Sequence, residues 1–104
     1  MPETHHLIIT DEALFDLQEI ARFIRNDAPD AAAGVAESII AAIDSLASMP
    51  DRFRRVGKSR KRGTPVHALV VRPFIIYYRV DASPDMVHIL QVIHGARKQP
   101  RRFK

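Results

Sequence analysis

The spacing of apolar residues divides the first half of the chain into one strand and two helices. A short β-branched run at residues 5–10 predicts a strand that ends at Thr10, a suitable N-cap for a helix. Apolar residues then recur every three or four positions, which predicts an amphipathic helix over residues 11–26 and a second from residue 27 to Met49-Pro50. Because only two or three residues separate them, the two helices are expected to form an antiparallel hairpin.

In the second half the apolar pattern changes from a helical period to alternation. Three strands are predicted at residues 66–72, 74–80 and 86–94, and their short connections favour antiparallel pairing in chain order. Apolar residues occupy both faces of the last two strands, so we expect the helical hairpin to cover one face and the other face to be partly covered too. The order β-α-α-β-β-β predicts an α+β domain, with residues 51–65 as a turn-rich loop between the helices and the sheet.

Length and composition indicate one domain without a cofactor. With 104 residues the chain is too short for two stable cores, so residues 1–104 are expected to form one domain with a basic tail at 97–104. The absence of cysteine excludes disulfides and thiolate metal sites, and the histidines lack metal-ligand spacing, so neither a metal nor another cofactor is expected. Without a secretory pattern or an apolar run that could span a membrane, the expected location is the cytoplasm.

Charged residues are unevenly distributed between the two halves. Residues 1–50 carry two basic and nine acidic side chains, a net charge of −7, whereas residues 51–104 carry fourteen basic and three acidic ones, a net charge of +11. The acids expected on the outer faces of the two helices are Asp16, Glu19, Glu37 and Asp44. A split of this size points to an acidic partner, either nucleic acid or an acidic protein, that contacts the basic half.

Two basic clusters form the candidate contact surface. Seven cations and no acid occur within residues 52–62, and a second group follows the last predicted strand. Like charges this close repel one another unless a partner neutralises them, although a solvated loop also tolerates them. The candidate target-binding residues are Arg52, Arg54, Arg55, Lys58, Arg60, Lys61, Arg62, Arg79, His94, Arg97, Lys98, Arg101 and Arg102.

The ends of the strands contribute further candidates. His94 is suited to donate or accept a proton near neutral pH, and Arg97 to hold a phosphate or carboxylate; a capping histidine and a solvated arginine are the alternative. Adjacent Tyr77 and Tyr78 are expected on opposite faces of the sheet, one in the core and the other partly exposed. The sequence has no glycine-rich phosphate loop and no close carboxylate pair in its basic half, which disfavours common hydrolase chemistry.

Along nearly its whole length the chain resembles the RelE/ParE toxins of bacterial type II toxin–antitoxin modules. The most specific stretches are Val-Arg-Pro-Phe-Ile-Ile-Tyr-Tyr-Arg-Val at residues 71–80 and the ending Val-Ile-His-Gly-Ala-Arg at residues 92–97. Together they are similar to the ParE branch. The resemblance implies a toxin that inhibits DNA gyrase by binding rather than by catalysis, and whose growth inhibition serves plasmid or chromosome stabilisation.

The RelE branch supplies the alternative function, a ribosome-dependent mRNA endonuclease. Cleavage in that branch is attributed to basic residues and to a group near the C-terminus. The resemblance places Ile75 where RelE proteins carry an arginine and Phe103 where a tyrosine is expected, which weakens charge stabilisation and proton transfer. The candidate catalytic residues of a nuclease are His94, Arg97, Lys58, Arg60 and Lys61. A non-toxic basic module that binds nucleic acid or protein is the third hypothesis.

Either toxin hypothesis implies a cognate antitoxin. The resemblance describes it as ParD-like, with a DNA-binding N-terminal part and an acidic, partly disordered C-terminal segment that wraps the toxin. Such a segment is expected to lay an amphipathic helix into a groove beside the helical hairpin and to neutralise basic side chains. The complex is then hetero-oligomeric and binds operator DNA through the antitoxin.

Overall fold

Two helices pack on one face of a five-stranded sheet. The computed structural model describes residues 5–27, 29–48, 50, 53–58, 64–82 and 85–96. The elements are β1 (His6–Ile9), α1 (Asp11–Asp27), α2 (Pro29–Ser45), β2 (Arg54–Lys58), β3 (Pro65–Val71), β4 (Phe74–Ala82) and β5 (Asp85–His94). Within these ranges no helix is both long and apolar enough to cross a membrane. The predicted α+β class, with helices on a sheet, is confirmed.

Both helices begin near where the sequence predicts, and α1 also ends within one residue of its predicted end, whereas α2 ends earlier than predicted. The Thr10 hydroxyl oxygen accepts the backbone N–H of Ala13 at 3.3 Å, so Thr10 caps α1 as expected. The predicted end of α2 at Met49-Pro50 is wrong, because the helix stops at Ser45. The N–H of Leu46 and that of Ala47 each bond a carbonyl three residues earlier, which tightens and terminates the last turn. The Ala47 carbonyl then accepts the N–H of His5, which joins this turn to the start of β1.

The sheet has the strand order β1-β5-β4-β3-β2. The predicted antiparallel meander of β3, β4 and β5 is confirmed. β1 pairs with β5 in parallel and lies at one edge. At the other edge lies β2, which corrects the prediction of a loop across residues 51–65. An edge strand does not require alternating apolar residues, and a register shift between Arg55 and Gly57 further obscures the pattern, so no strand was recognisable there from the residues alone.

Both faces of the sheet are buried in their central part. On the helix-covered face, Ile39, Ile43 and Leu46 of α2 and its following turn belong to one core cluster with sheet residues. On the second face, the buried residues are Val66, Ala68, Tyr77 and Leu90. Tyr78 belongs to the first cluster and Tyr77 to the second, which confirms that they point to opposite faces. The expectation that one of them is partly exposed is wrong: Tyr77 is 5% exposed and Tyr78 0%, because each face has its own apolar neighbours.

Candidate partner-binding surfaces

A groove runs along α1 between the helix and the sheet. It consists of two hollows of about 480 and 850 Å³ that share Phe15, Asp16 and Val92. Its α1 wall is formed by Asp11, Glu12, Phe15, Asp16, Glu19, Ile20, Phe23 and Ile24. Its other wall is formed by Val35 of α2 and by Pro73, Phe74, Gln91, Val92, Ile93 and His94 of the sheet. We refer to this surface as the α1 groove.

The α1 groove is apolar at one end and acidic at the other. The α1 residues that line it recur at helical spacing and so form one stripe, in which carboxylates accompany Phe15 as far as Glu19 and apolar side chains follow from Ile20 to Ile24. Phe15 is 61% exposed and Phe23 66%, so two large aromatic side chains face solvent along this stripe. Exposed apolar side chains clustered beside a hollow are typical of an interaction surface.

Two of the four acids expected on outer helix faces line this groove, and of these Glu19 is exposed as expected whereas Asp16 is partly buried. Asp16 and Glu19 line it, whereas Glu37 and Asp44 of α2 are exposed elsewhere. An Asp16 carboxylate oxygen accepts the backbone N–H of Val92 at 3.0 Å. Helical periodicity alone could not reveal this contact, because Val92 lies 76 residues away.

His94 lies at the end of the α1 groove, on the helix-covered face. Its ring packs edge-on against Phe74, with centroids 5.5 Å apart and planes at 82°. Its Nδ1 accepts the backbone N–H of Ala96 at 3.0 Å, so the capping role that the sequence left open is present and a neutral ring carries its proton on Nε2. The N–H of Gly95 bonds the Pro73 carbonyl at 2.7 Å, and a side chain at Gly95 would meet that oxygen at 3.2 Å.

Arg79 lies on the second face, away from the α1 groove. Its Nε is 3.3 Å from an Asp81 carboxylate oxygen, and the other carboxylate oxygen is 3.1 Å from Nε2 of His88. All three side chains are largely buried. The candidate residue Arg79 is therefore held by Asp81. Alternation along the strand places Arg79 and Asp81 on the same face, and the pairing of β4 with β5 adds His88 to them.

Arg54 also belongs to the second face. It pairs with Ala68 across β2 and β3 and influences Tyr77 electrostatically. Burial raises the pKa of Tyr77 above its ordinary value of 10.0, and the positive charge of Arg54 partly offsets that rise. The side chains of Arg54 and Arg55 are exposed on this edge strand. They are the part of the first basic cluster whose side chains the structure describes.

The remaining candidates lie where the structure gives no account of their side chains. For Lys58 it describes the backbone, as the last residue of β2. The candidates outside the described residues are Arg52, Arg60, Lys61, Arg62, Arg97, Lys98, Arg101 and Arg102, and Phe103 lies there as well. Among the described candidates, His94 is separated from Arg54 and Arg79 by the sheet itself. Across the described ranges, no group of three or more His, Asp or Glu side chains is arranged to hold a metal ion.

A buried polar pair, missed by sequence reasoning, anchors the segment that leads into β2. His67 is 1% exposed, and its Nδ1 donates a hydrogen bond to the Phe53 carbonyl at 2.9 Å. Its ring stacks on Tyr78 at 5.2 Å, and the Tyr78 hydroxyl donates to the Pro50 carbonyl. These bonds hold the approach to Arg54 and Arg55 against the core. No local signal identifies them, because the acceptors lie 14 and 28 residues away along the chain.

The family follows from comparison with known proteins. The sequence profile of the ParE toxin of the type II toxin–antitoxin system parDE matches residues 7–99. The chain belongs to the ParE toxin family. The predicted membership of the RelE/ParE superfamily is thereby confirmed, and the protein is a toxin of the type II toxin–antitoxin class.

Two relatives align with most of this ParE-family toxin. The protein Y4kP of Sinorhizobium fredii, whose name describes it as a toxin candidate, is 38% identical over 92 residues, which cover 88% of this chain and 90% of the relative. Toxin RelE2 of Caulobacter vibrioides is 34% identical over 91 residues, covering 88% and 96% respectively. One relative thus carries a RelE name although the family profile is that of ParE.

Two solved structures share the fold of the toxin. A chain of the chromosomal ParDE toxin–antitoxin system from P. aeruginosa superimposes with a TM-score of 0.68 at 19% identity, covering 88% of this chain and 97% of that one. A chain of the toxin–antitoxin complex RelBE2 from Mycobacterium tuberculosis gives a TM-score of 0.57 at 26% identity, covering 90% and 94%. The first likeness supports the fold alone.

Proposed function

We propose that this ParE-family toxin inhibits DNA gyrase by binding and cleaves no nucleic acid. The observation that carries the proposal is the environment of Ile75. This side chain is partly buried on the second face, where it packs against the buried cluster of that face together with Ile93. It occupies the position where the resemblance places an arginine in the nuclease branch. An apolar contact there supports a binding surface rather than a site that stabilises charge on a reacting phosphate.

The described cations support the same function. Arg79 on the second face is held by Asp81 at 3.3 Å, which leaves less of its charge for a phosphate. Arg54 and Arg55 are exposed on the edge strand β2 and continue into the basic segment of residues 52–62. The target surface is this segment together with residues 94–104. Their combined positive charge suits DNA bound to gyrase or an acidic patch of the enzyme.

The toxin is neutralised by a cognate antitoxin that binds it in the cytoplasm. The solved RelBE2 structure that shares the fold is a toxin–antitoxin complex. The α1 groove supports such a partner, because it presents exposed Phe15 and Phe23 beside a hollow of about 850 Å³.

A supercoiling assay with purified gyrase tests the function. We expect the toxin to inhibit supercoiling and to accumulate cleaved DNA–gyrase complexes. The double variant Arg54→Glu/Arg55→Glu should weaken inhibition by about ten-fold or more, because it reverses two exposed cations of the target surface. The matched control Arg22→Glu/Arg25→Glu reverses two exposed arginines of α1 and should inhibit like the original protein.

The same preparations separate the alternatives. A ribosome-dependent nuclease, which the RelE name of one relative favours, would leave supercoiling unaffected and cleave mRNA in a translating extract, with loss of cleavage in His94→Ala. Unchanged supercoiling, intact mRNA and normal growth on expression without a partner would support the non-toxic binding module.

A further inference from the structure

We propose that the α1 groove binds an antitoxin helix that is cationic at one end and apolar at the other. The inference rests on the proposed antitoxin and specifies the chemistry of its groove-binding segment. It differs from the expectation of an acidic segment, because the described groove is itself lined by four carboxylates.

The apolar end of the groove determines where the partner's apolar residues lie. Ile20, Phe23 and Ile24 of α1 face Val35 and Phe74 across the larger hollow. Phe23 is 66% exposed there, whereas Ile20, Ile24 and Val35 are partly buried and Phe74 is buried. Apolar side chains of a partner would remove this ring from water, which favours binding in proportion to the area covered.

The acidic end determines the charge of the partner. Four carboxylates line the groove, and none of the described lining residues is a lysine or arginine. Asp11 and Glu12 lie in the first turn of α1, where the helix dipole stabilises negative charge. Asp16 and Glu19 lie beyond that turn, where the effect of the dipole has fallen off. Glu19 is exposed, and its distance of 3.8 Å to exposed Arg22 makes a weak ion pair.

The length of the groove along α1 determines the length of the partner helix. From Asp11 to Ile24 the groove follows α1 for about 20 Å, the length of about thirteen residues of helix. Over that length, lysine or arginine would meet the carboxylates near the start of α1, and leucine-like residues would meet Phe23. A helix carrying glutamates at the first of these positions would face four like charges. The antitoxin therefore changes sign along its chain: basic at this groove, and acidic where it covers the toxin's basic clusters.

Two synthetic peptides test the proposed chemistry on the full-length toxin. Each is a helix of about thirteen residues with the same leucines at one end, and they differ only in carrying lysines or glutamates at the other. Binding is followed by fluorescence anisotropy at low and high salt. We expect the lysine peptide to bind about ten-fold more tightly at low salt, and the difference to shrink at high salt because exposed charges are screened.

Matched variants locate the site. Glu19→Lys should weaken the lysine peptide and strengthen the glutamate peptide, whereas Glu37→Lys, an exposed acid of α2 outside the groove, should change neither. Phe23→Ser should weaken both peptides, whereas Ile40→Ser, which removes an exposed apolar residue elsewhere on α2, should weaken neither. All four positions are exposed, so the variants are expected to fold, and circular dichroism verifies that they do.

Several results would overturn the inference. Equal or tighter binding of the glutamate peptide would contradict the charge assignment. Binding insensitive to both Glu19→Lys and Phe23→Ser would place the peptide elsewhere. Self-association of the toxin that Phe23→Ser abolishes would assign the groove to a second copy of this chain. These measurements contain no gyrase, so failure of the gyrase proposal leaves them valid, and their failure leaves the supercoiling result valid.

Discussion

At the scale of single residues, the surroundings of Tyr77 on the second face determine the pKa of its phenol. The side chain is 5% exposed in the cluster with Val66, Ala68 and Leu90, and an arginine of the edge strand acts on it. Burial disfavours the charged tyrosinate, whereas the positive charge of Arg54 favours it. Burial is the larger effect, so the pKa of Tyr77 is raised above 10.0 in the folded protein.

The raised pKa of Tyr77 predicts a loss of stability at alkaline pH. Below pH 10 both states keep the phenol proton and the contribution is complete. Above that pH the unfolded chain loses the proton first, so the free energy of unfolding falls as the pH approaches the folded-state pKa. Thermal melting at a series of alkaline pH values should show a shallower decline for Tyr77→Phe than for the original protein. Arg54→Gln should raise the pKa further and extend the decline; equal slopes in all three proteins would contradict the assignment.

Individual residues also show what the sequence could not provide. Alternation placed Tyr77 and Tyr78 on opposite faces correctly, because this depends only on strand geometry. The bond from His67 to the Phe53 carbonyl depends on how two separate segments meet, so no window of sequence contains it. The same reason explains why Asp16 was expected on an outer face. Its position in α1 was predictable, but its acceptor role toward β5 was not.

At the scale of elements, the first turns of α1 cover an edge of β5. β1 pairs with β5 as far as Ile89, so within the described part of the sheet the next residues of β5 have no strand neighbour on that side. Thr10 donates its hydroxyl to the Ile89 carbonyl at 2.7 Å, and Asp16 accepts the N–H of Val92. Side chains of α1 therefore replace the missing strand and leave the edge less available for pairing with another chain.

Loss of the Asp16 carboxylate should lower the free energy of unfolding and leave the other charged residues of the surface unchanged. Asp16→Ala leaves the Val92 N–H without this acceptor, which costs about 1–3 kcal/mol of the free energy of unfolding. Asp16→Asn keeps a side-chain oxygen that can accept the bond and should cost less. Urea denaturation followed by circular dichroism measures both values. An equal loss for both variants would indicate that the negative charge matters more than the hydrogen bond.

Sequence patterns predicted elements well where packing requires periodicity. α1 and the strands β3, β4 and β5 pack against the core and carry regular apolar spacing, which is why their positions were predicted to within a few residues. β2 lies at the sheet edge with exposed Arg54 and Arg55, and α2 ends through backbone hydrogen bonds that any side chains permit. The position of β2 and the end of α2 therefore depend on contacts with other parts of the chain rather than on a pattern in the residues of these elements.

At the scale of the whole molecule, the charge split places many acidic and basic side chains on different surfaces. The sequence predicted that the basic half meets an acidic partner. Four acids of the other half line the α1 groove, whereas Arg54 and Arg79 lie on the second face of the sheet. In the proposed function, a partner segment in the groove and a target bound at Arg54 therefore contact opposite faces of the sheet, whereas His94 is a target candidate that lies at the groove itself.

This separation predicts that filling the groove alone does not neutralise the toxin. The lysine peptide covers the acidic groove and leaves exposed Arg54 and Arg55 unoccupied, so the toxin saturated with peptide should still inhibit gyrase in the supercoiling assay. A full-length antitoxin, which also places acidic residues against the basic clusters, should abolish inhibition. Loss of inhibition with the peptide alone would show that the groove and the target surface overlap. Retained inhibition of gyrase would mean that the antitoxin needs both of its differently charged parts. One part would bind the groove, and the other would cover the basic target surface.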